Sequence, residues 1–393
     1  MAEMRRAGSF SLCLAATLFV FCCAADARWR PAPPSLPRKF TIGLHSAVTI
    51  NDADYALAAK AGFDLAVPMR PGLDYSRALA DACGRAQMKA VVWDPRFSTY
   101  DAGGEDVTAS AIRDHRDHPA VAGYVVSNYQ LVPPSRTVAS FWVVRTLGLG
   151  DPPRFRYVEA LHPKEFPDAK DCEEYLGRYS KMYSGYVLYE EDDPFSADAL
   201  GAMAAVGKTC AERREPWWRR CRIDDASGPM IRWQAYSAAA AGARGIIYLI
   251  ARPLPGCRTD SLLDAEGNPA PIYETAQATN RRLASLGPTL MTMQSATFYA
   301  VGNMPDGSPR PPDDSPIKSV ASGVKGDGFL VGLLGGPAGS FAFVVRKPGG
   351  ANRPAPVTVR CAAGRNAVVV ESGKALNGPL DLLPGEGQLL RIE

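Results

Sequence analysis

Glu190, Glu191, Asp192 and Asp193 follow directly on the apolar stretch GYVLY. Four adjacent carboxylates repel one another, so crowding them into a cleft raises the pKa of some of them. That is one way to hold a protonated general acid near neutral pH. On an exposed loop the same run is a solvated acidic surface, or a loop tolerant of calcium. Glu190 and Glu191 stand closest to the apolar stretch and are the two best placed to turn inward.

Further polar groups close other apolar stretches. Asp94 ends VVWD, Glu159 lies within YVEALHP, and His45 and His162 end FTIGLH and the segment around Leu161. Each carboxylate can bind a ligand or cap the next element, and a lone histidine can serve structure as readily as chemistry. The stretch HPAVAGYVVSNYQ passes from apolar residues into Ser127-Asn128-Tyr129-Gln130, a polar patch without a carboxylate. Trp93, Tyr129 and Tyr189 offer flat faces for stacking, or core volume.

Several chemistries have no support. The four histidines are dispersed, and no CxxC or HExxH occurs, so no zinc or other metal site is expected. The glycine pairs at 103–104 and 335–336 lack the strand-to-helix setting of a phosphate loop, so no nucleotide or other cofactor is expected. A net charge of +3 with scattered Lys and Arg gives no nucleic-acid partner.

The N-terminus carries Arg5 and Arg6, an apolar run from Phe10, and Ala25-Asp26-Ala27. This is the order of a secretory signal over residues 1–27, with cleavage after Ala27. An uncleaved anchor is the rival reading, although the run is short for the ~20 residues of a span. No later segment is apolar enough to cross a bilayer, so the mature chain is expected to be secreted, without stable membrane insertion. Of nine cysteines, Cys13, Cys22 and Cys23 leave with the signal. A secreted chain permits disulfides, and Cys210 with Cys221, flanking a Trp-rich segment, is the first expected pair.

The elements that must position these groups alternate. After a Pro-rich linker at 28–38, strands are expected at 39–45, 64–69, 88–95, 120–128, 154–163, 184–195, 214–223 and 244–253. Helical segments fall between them, such as NDADYALAAKAGF and ADALGAMAAVGKTCAE. Such alternation predicts a parallel sheet covered by helices, and eight units predict a closed (β/α)8 barrel over 39–293. The seventh strand is the poor one, since Arg219, Arg220 and Arg222 are hard to place in a barrel wall. From 294 to 393, short strands punctuated by Gly and Pro predict a small antiparallel β-sandwich.

In order, FTIGLH, AKAGFDLAVP, KAVVWDPR, HPAVAGYVVSNYQ, YVEALHP, GYVLYEEDDPF and above all WQAYSAAAAGARGIIYLI resemble the TIM-barrel glycoside hydrolases. The likeness is to the β-galactosidase-like branch with a C-terminal β-domain, and it spans nearly all of the mature chain. It implies an enzyme with two carboxylates flanking a glycosidic bond, ~5–5.5 Å apart for retention and ~6.5–9.5 Å for inversion.

The chain departs from the family at two strand ends. Asn128 matches the residue before the usual acid/base of the fourth strand, but Tyr129 stands where the Glu belongs. The seventh strand, where the nucleophile belongs, is flanked by Glu212 and Glu215 before it and by Asp224 and Asp225 after it. Two functions follow. In the first, a hydrolase acts on a carbohydrate with Glu190 or Glu191 as one carboxylate and Glu159 or Asp94 as the second. Asn128, Tyr129, Tyr189, His45, His162 and Trp93 then bind the sugar. In the second, the barrel keeps its cleft and has lost its acids, so it binds or scaffolds carbohydrate without turnover.

Overall fold

The computed structural model of the chain describes residues 39–98, 100–126, 155–158, 187–190, 193–214, 216–221, 227–256 and 260–393. The expected signal, linker and the helices of 134–148 and 171–182 lie outside them. The first part holds eight described strands: β1 (Thr41–His45), β2 (Leu65–Val67), β3 (Lys89–Val92), β4 (Val121–Val126), β5 (Phe155–Val158), β6 (Val187–Glu190), β7 (Trp217–Arg220) and β8 (Gly245–Ile250). The helices are α1 (Asp52–Lys60), α2 (Leu73–Arg85), α3 (Tyr100–His115), α4 (Ala197–Arg213), α5 (Gly228–Ala240) and α6 (Tyr273–Leu290).

Local chemistry sets their limits. Asn51 caps α1 by accepting from the Ala53 N–H at 3.0 Å, Asp52 and Asp54 occupy its positive first turn, and Gly62 ends it at φ 85°. Ser196 caps α4 through the Ala199 N–H at 3.1 Å, and Arg214 closes it in the left-handed region.

All eight strands form one curled parallel sheet in the order β5-β4-β3-β2-β1-β8-β7-β6. Placing β1 beside β8 leaves β5 and β6 as edges, and these approach within 8 Å, Cα to Cα. The weak seventh strand does form, paired on both sides. Arg219 turns away from the interior of the curl and is fully buried under α5. There it donates to the Gln234 carbonyl at 2.9 Å and to Ser237 Oγ.

One helix was not expected from the sequence. Helix α6 buries Tyr273, Ala276, Asn280, Leu283 and Leu290 on one face. Its polar composition, the lack of a side-chain cap and Pro288 inside it mask that periodicity. The expected Cys210–Cys221 disulfide is also corrected. Both side chains remain thiols within the apolar core between helices and sheet, where buried cysteine serves as a small hydrophobe. Proximity in sequence does not bring two Cβ atoms to bridging distance.

The C-terminal part forms two antiparallel sheets. One holds β10 (Ile317–Ser322), β13 (Ala355–Cys361) and β16 (Leu380–Leu382). The other, in the order β15-β14-β17-β12-β11-β9, holds β9 (Ser295–Gly302), β11 (Gly328–Gly336), β12 (Gly339–Arg346), β14 (Ala367–Val369), β15 (Lys374–Ala375) and β17 (Gly387–Ile392). Tyr299, Val320, Phe329, Val344, Val357 and Leu390 fill the space between the sheets. The other face of the larger sheet continues the core of the first part, with Phe343 edge-on to Tyr236 of α5 at 6.0 Å. Arg282 of α6 ties the two parts by bonding Glu371, Glu386 and Gln388 at 2.7–2.8 Å.

Gly332 lies at a close approach across this junction, where a Cβ would fall 1.8 Å from the Ala240 carbonyl oxygen. Backbone must then move. Gly332→Ala is expected to cost ~3 kcal/mol, the upper end for overpacking, read from urea unfolding. A variant as stable as the parent would mean that the two parts are not closely packed there.

Candidate functional site at the strand ends

Residues side by side in parallel strands share a face, and alternate residues point oppositely. Leu65, Val67, Val91, Trp93, Val125, Trp218 and Ile247 form the apolar interior of the curl. Gly43 and His45 are in register with Leu65 and Val67, so both face that interior, while Ile42 and Leu44 pack towards the helices. Gly43 allows close packing, since a Cβ there would meet Ile247 Cγ1 at 3.1 Å.

His45 therefore ends β1 as a polar group at the C-terminal rim of an apolar interior. It is 2% exposed, and its Nδ1 is buried without a hydrogen-bond partner. Burial, followed by the nearby Arg220 guanidinium, holds its pKa well below the ordinary imidazole value. The folded state thus keeps His45 neutral, while the unfolded chain protonates near pH ~6.5. Its contribution is present above that pH and lost as pH falls, by up to ~1.4 kcal/mol per pH unit. Urea midpoints from pH 7 to 5 should fall faster for the parent than for His45→Gln. Parallel curves would contradict a neutral buried imidazole.

Arg220 ends β7 two residues beyond inward-facing Trp218 and is half-buried. It is in register with Ile247 on one side and with Glu190 of β6 on the other. Glu190 thus occupies the rim position next to Arg220, and Tyr189 pairs in register with Arg219. The sequence showed Arg220 only as a misfit. Its alternation with Trp218 was the signal for a rim position.

Asp94 has a different setting. It follows inward-facing Trp93 and lies on the helix side of β3, fully buried. Its carboxylate accepts from the Arg96 backbone N–H at 3.0 Å, Arg96 Nε at 3.0 Å, Arg96 Nη2 at 2.7 Å and His115 Nε2 at 3.0 Å. A carboxylate has about four acceptor sites, and all are used within the protein. Burial acts to raise its pKa, but the bonds from His115 and Arg96 outweigh it and hold the group well below the usual carboxylate range. Asp94 so joins β3, the 3-10 turn Pro95–Ser98 and the end of α3.

Trp93 is 5% exposed within the interior. The loops after β1 and β2 are stitched together. Ser46 Oγ accepts from the Met69 N–H at 3.1 Å and lies 2.5 Å from the Tyr75 hydroxyl. That hydroxyl donates to the Ala47 carbonyl. Glu212, an alternative carboxylate near the seventh strand, is exposed in the last turn of α4, at the N-terminal side of β7. Glu159, Glu191, Asn128, Tyr129 and His162 lie outside the described residues. Of the expected site residues, the structure therefore brings His45, Trp93 and the backbone position of Glu190 to one rim and engages Asp94 elsewhere.

No family model matches the sequence, and no curated protein matches it. Among solved structures the chain is similar to a β-glucuronidase from Ruminococcus gnavus in complex with D-glucuronic acid, at 8% identity and TM-score 0.46, covering 62% of this chain and 49% of that one. It is similar to a β-glucuronidase from Parabacteroides merdae, at 8% identity and TM-score 0.42, covering 90% and 58%. An endo-1,4-β-xylanase from Caldicellulosiruptor owensensis aligns at 13% identity and TM-score 0.42, covering 62% and 99%. The chain spans about half the length of the Ruminococcus enzyme.

Proposed function

We propose that this chain is a secreted glycoside hydrolase-like protein that takes a carbohydrate at the C-terminal ends of its parallel strands. In this reading the curled sheet closes between β5 and β6 as a (β/α)8 barrel over 39–293, followed by a β-sandwich domain over 294–393. The observation that carries it is the rim itself. His45, Arg220 and the register position of Glu190 end β1, β7 and β6 on the face of the apolar interior, at the end of the sheet where barrels of this kind place their sites.

Glu159 comes one residue after β5 ends at Val158, and Glu190 ends β6. In this proposal the two acids are the pair that glycoside hydrolysis uses. Glu190, the register partner of Arg220 on the next strand, is the proposed nucleophile. Glu159 then serves as proton donor, with Glu191 the alternative on the sixth strand. Asp94 drops out, because its acceptor sites are used. Asn128, Tyr129 and His162 remain sugar contacts in this proposal, whereas Tyr189 is the register partner of Arg219, which turns to α5.

Product release from neutral oligosaccharides, by the parent and by Glu159→Gln, Glu190→Gln and Glu191→Gln, tests the reading. Turnover lost on changing Glu190 or Glu159 supports it, and turnover indifferent to all three refutes the assignment. A second reading, binding without turnover, is favoured by one observation: β7 ends in Arg220 and carries no carboxylate. Binding with no product from any parent preparation would select it.

A further inference from the structure

The eighth strand carries an irregularity that regular pairing does not require. Gly43 is in register with Ile247, but His45 is in register with Ile250. Two residues of β1 therefore advance against three of β8, which is a β-bulge. Its extra residue is Leu249, at φ 60°. A bulky side chain rarely occupies that left-handed region, and glycine, asparagine or aspartate normally fills it. Leu249 is also fully buried, so solvent exposure does not explain the choice.

The bulge changes which side chains face inward. Ile247 belongs to the interior, whereas Tyr248 and Leu249 both pack in the core between sheet and helices. Regular alternation would have turned Leu249 inward beside His45. Instead Ile250 takes that position, and the strand stays anchored to His45 through the Ala251 N–H, which donates to the His45 carbonyl at 2.9 Å. The bulge thus lies directly alongside the residue whose buried Nδ1 has no partner. Strained backbone at a barrel rim, next to an unsatisfied polar atom, is the combination found where strain serves a site.

We propose that Leu249 is a positioning residue: its strained bulge on β8 holds the His45 imidazole at the rim with Nδ1 turned to hydrogen-bond a hydroxyl of the ligand. The identity of that ligand rests on the carbohydrate reading above; the positioning of His45 does not.

The test uses the full chain carrying 15N-histidine, whose four imidazoles are assigned with His45→Gln. Leu249→Ile keeps the volume but adds a branch at Cβ, which disfavours the left-handed region. Leu249→Met keeps both volume and tolerance. The parent and the Met variant should hold the His45 titration well below pH ~6.5, and the Ile variant should move it up by about one unit. An unchanged titration in a folded Ile variant overturns the proposal. Should the Ile variant not fold, Leu249→Asn, which favours the left-handed region, must keep the parent's titration; an ordinary His45 titration there overturns it equally. In calorimetry with xylo-, cello- and galacto-oligosaccharides, the Ile variant should bind ~10-fold more weakly than the Met variant, the loss of one hydrogen bond. Absence of binding by the parent defeats the carbohydrate reading and leaves the titration to decide the positioning.

Discussion

Replacing Asp94 by alanine is expected to cost ~3–5 kcal/mol of stability, the range for removing one partner of a buried ion pair. The carboxylate is fully buried and accepts from Arg96 three times and from His115 once. Its removal strips three of those donors of their acceptor and leaves His115, 2% exposed, facing empty space. Arg96 retains Asp114 at 2.7 Å, which offsets part of the loss. Asp94→Asn preserves the shape and should cost less. Urea unfolding at pH 7 measures both. Turnover or binding per folded molecule should stay within about twofold of the parent, because a residue with no vacant acceptor makes no ligand contact. A stable Asp94→Ala protein without function would invert the assignment and make Asp94 a site residue.

The second large effect is on chemistry. If the chain hydrolyses glycosides as proposed, Glu190→Gln is expected to lower kcat by ~10²–10⁴-fold, the order of a positioned acid or base, with KM changed far less. The substitution keeps the size of the side chain and removes a negative charge from the register partner of Arg220. In the proposed arrangement this charge offsets Arg220, so its loss should lower the His45 titration further, because like charge disfavours imidazolium. That second readout separates a rim carboxylate from one on a solvated loop. A Glu190 far from Arg220 would leave His45 untouched.

Much of the architecture was legible in the chain. Apolar runs located most of the parallel strands, because a strand buried on both faces reads as a continuous apolar stretch, while the seventh stood out as weak through its arginines. The ends of β1 and β3 placed His45 and Asp94 near where they lie. What could not be read was direction. Asp94 and Trp93 are adjacent, yet one turns to the helices and the other inward, and only the pleat decides which. Arg219 and Arg220 looked equally foreign to a sheet. Alternation sends the first under α5 and the second to the rim. The bulge at Leu249 has no sequence mark, since leucine is not the residue that a left-handed position selects. Helix α6 was hidden by its own polarity, and Cys210 with Cys221 misled because flanking a segment resembles bridging it.

The most direct measurement is calorimetric titration of oligosaccharides into the full chain and into the double variant His45→Gln, Glu190→Gln. Saturable 1:1 binding by the parent, weakened by ~100-fold or more when two rim contacts are lost, is the expected result. Equal affinity in both proteins would place the ligand away from the strand ends and contradict the account.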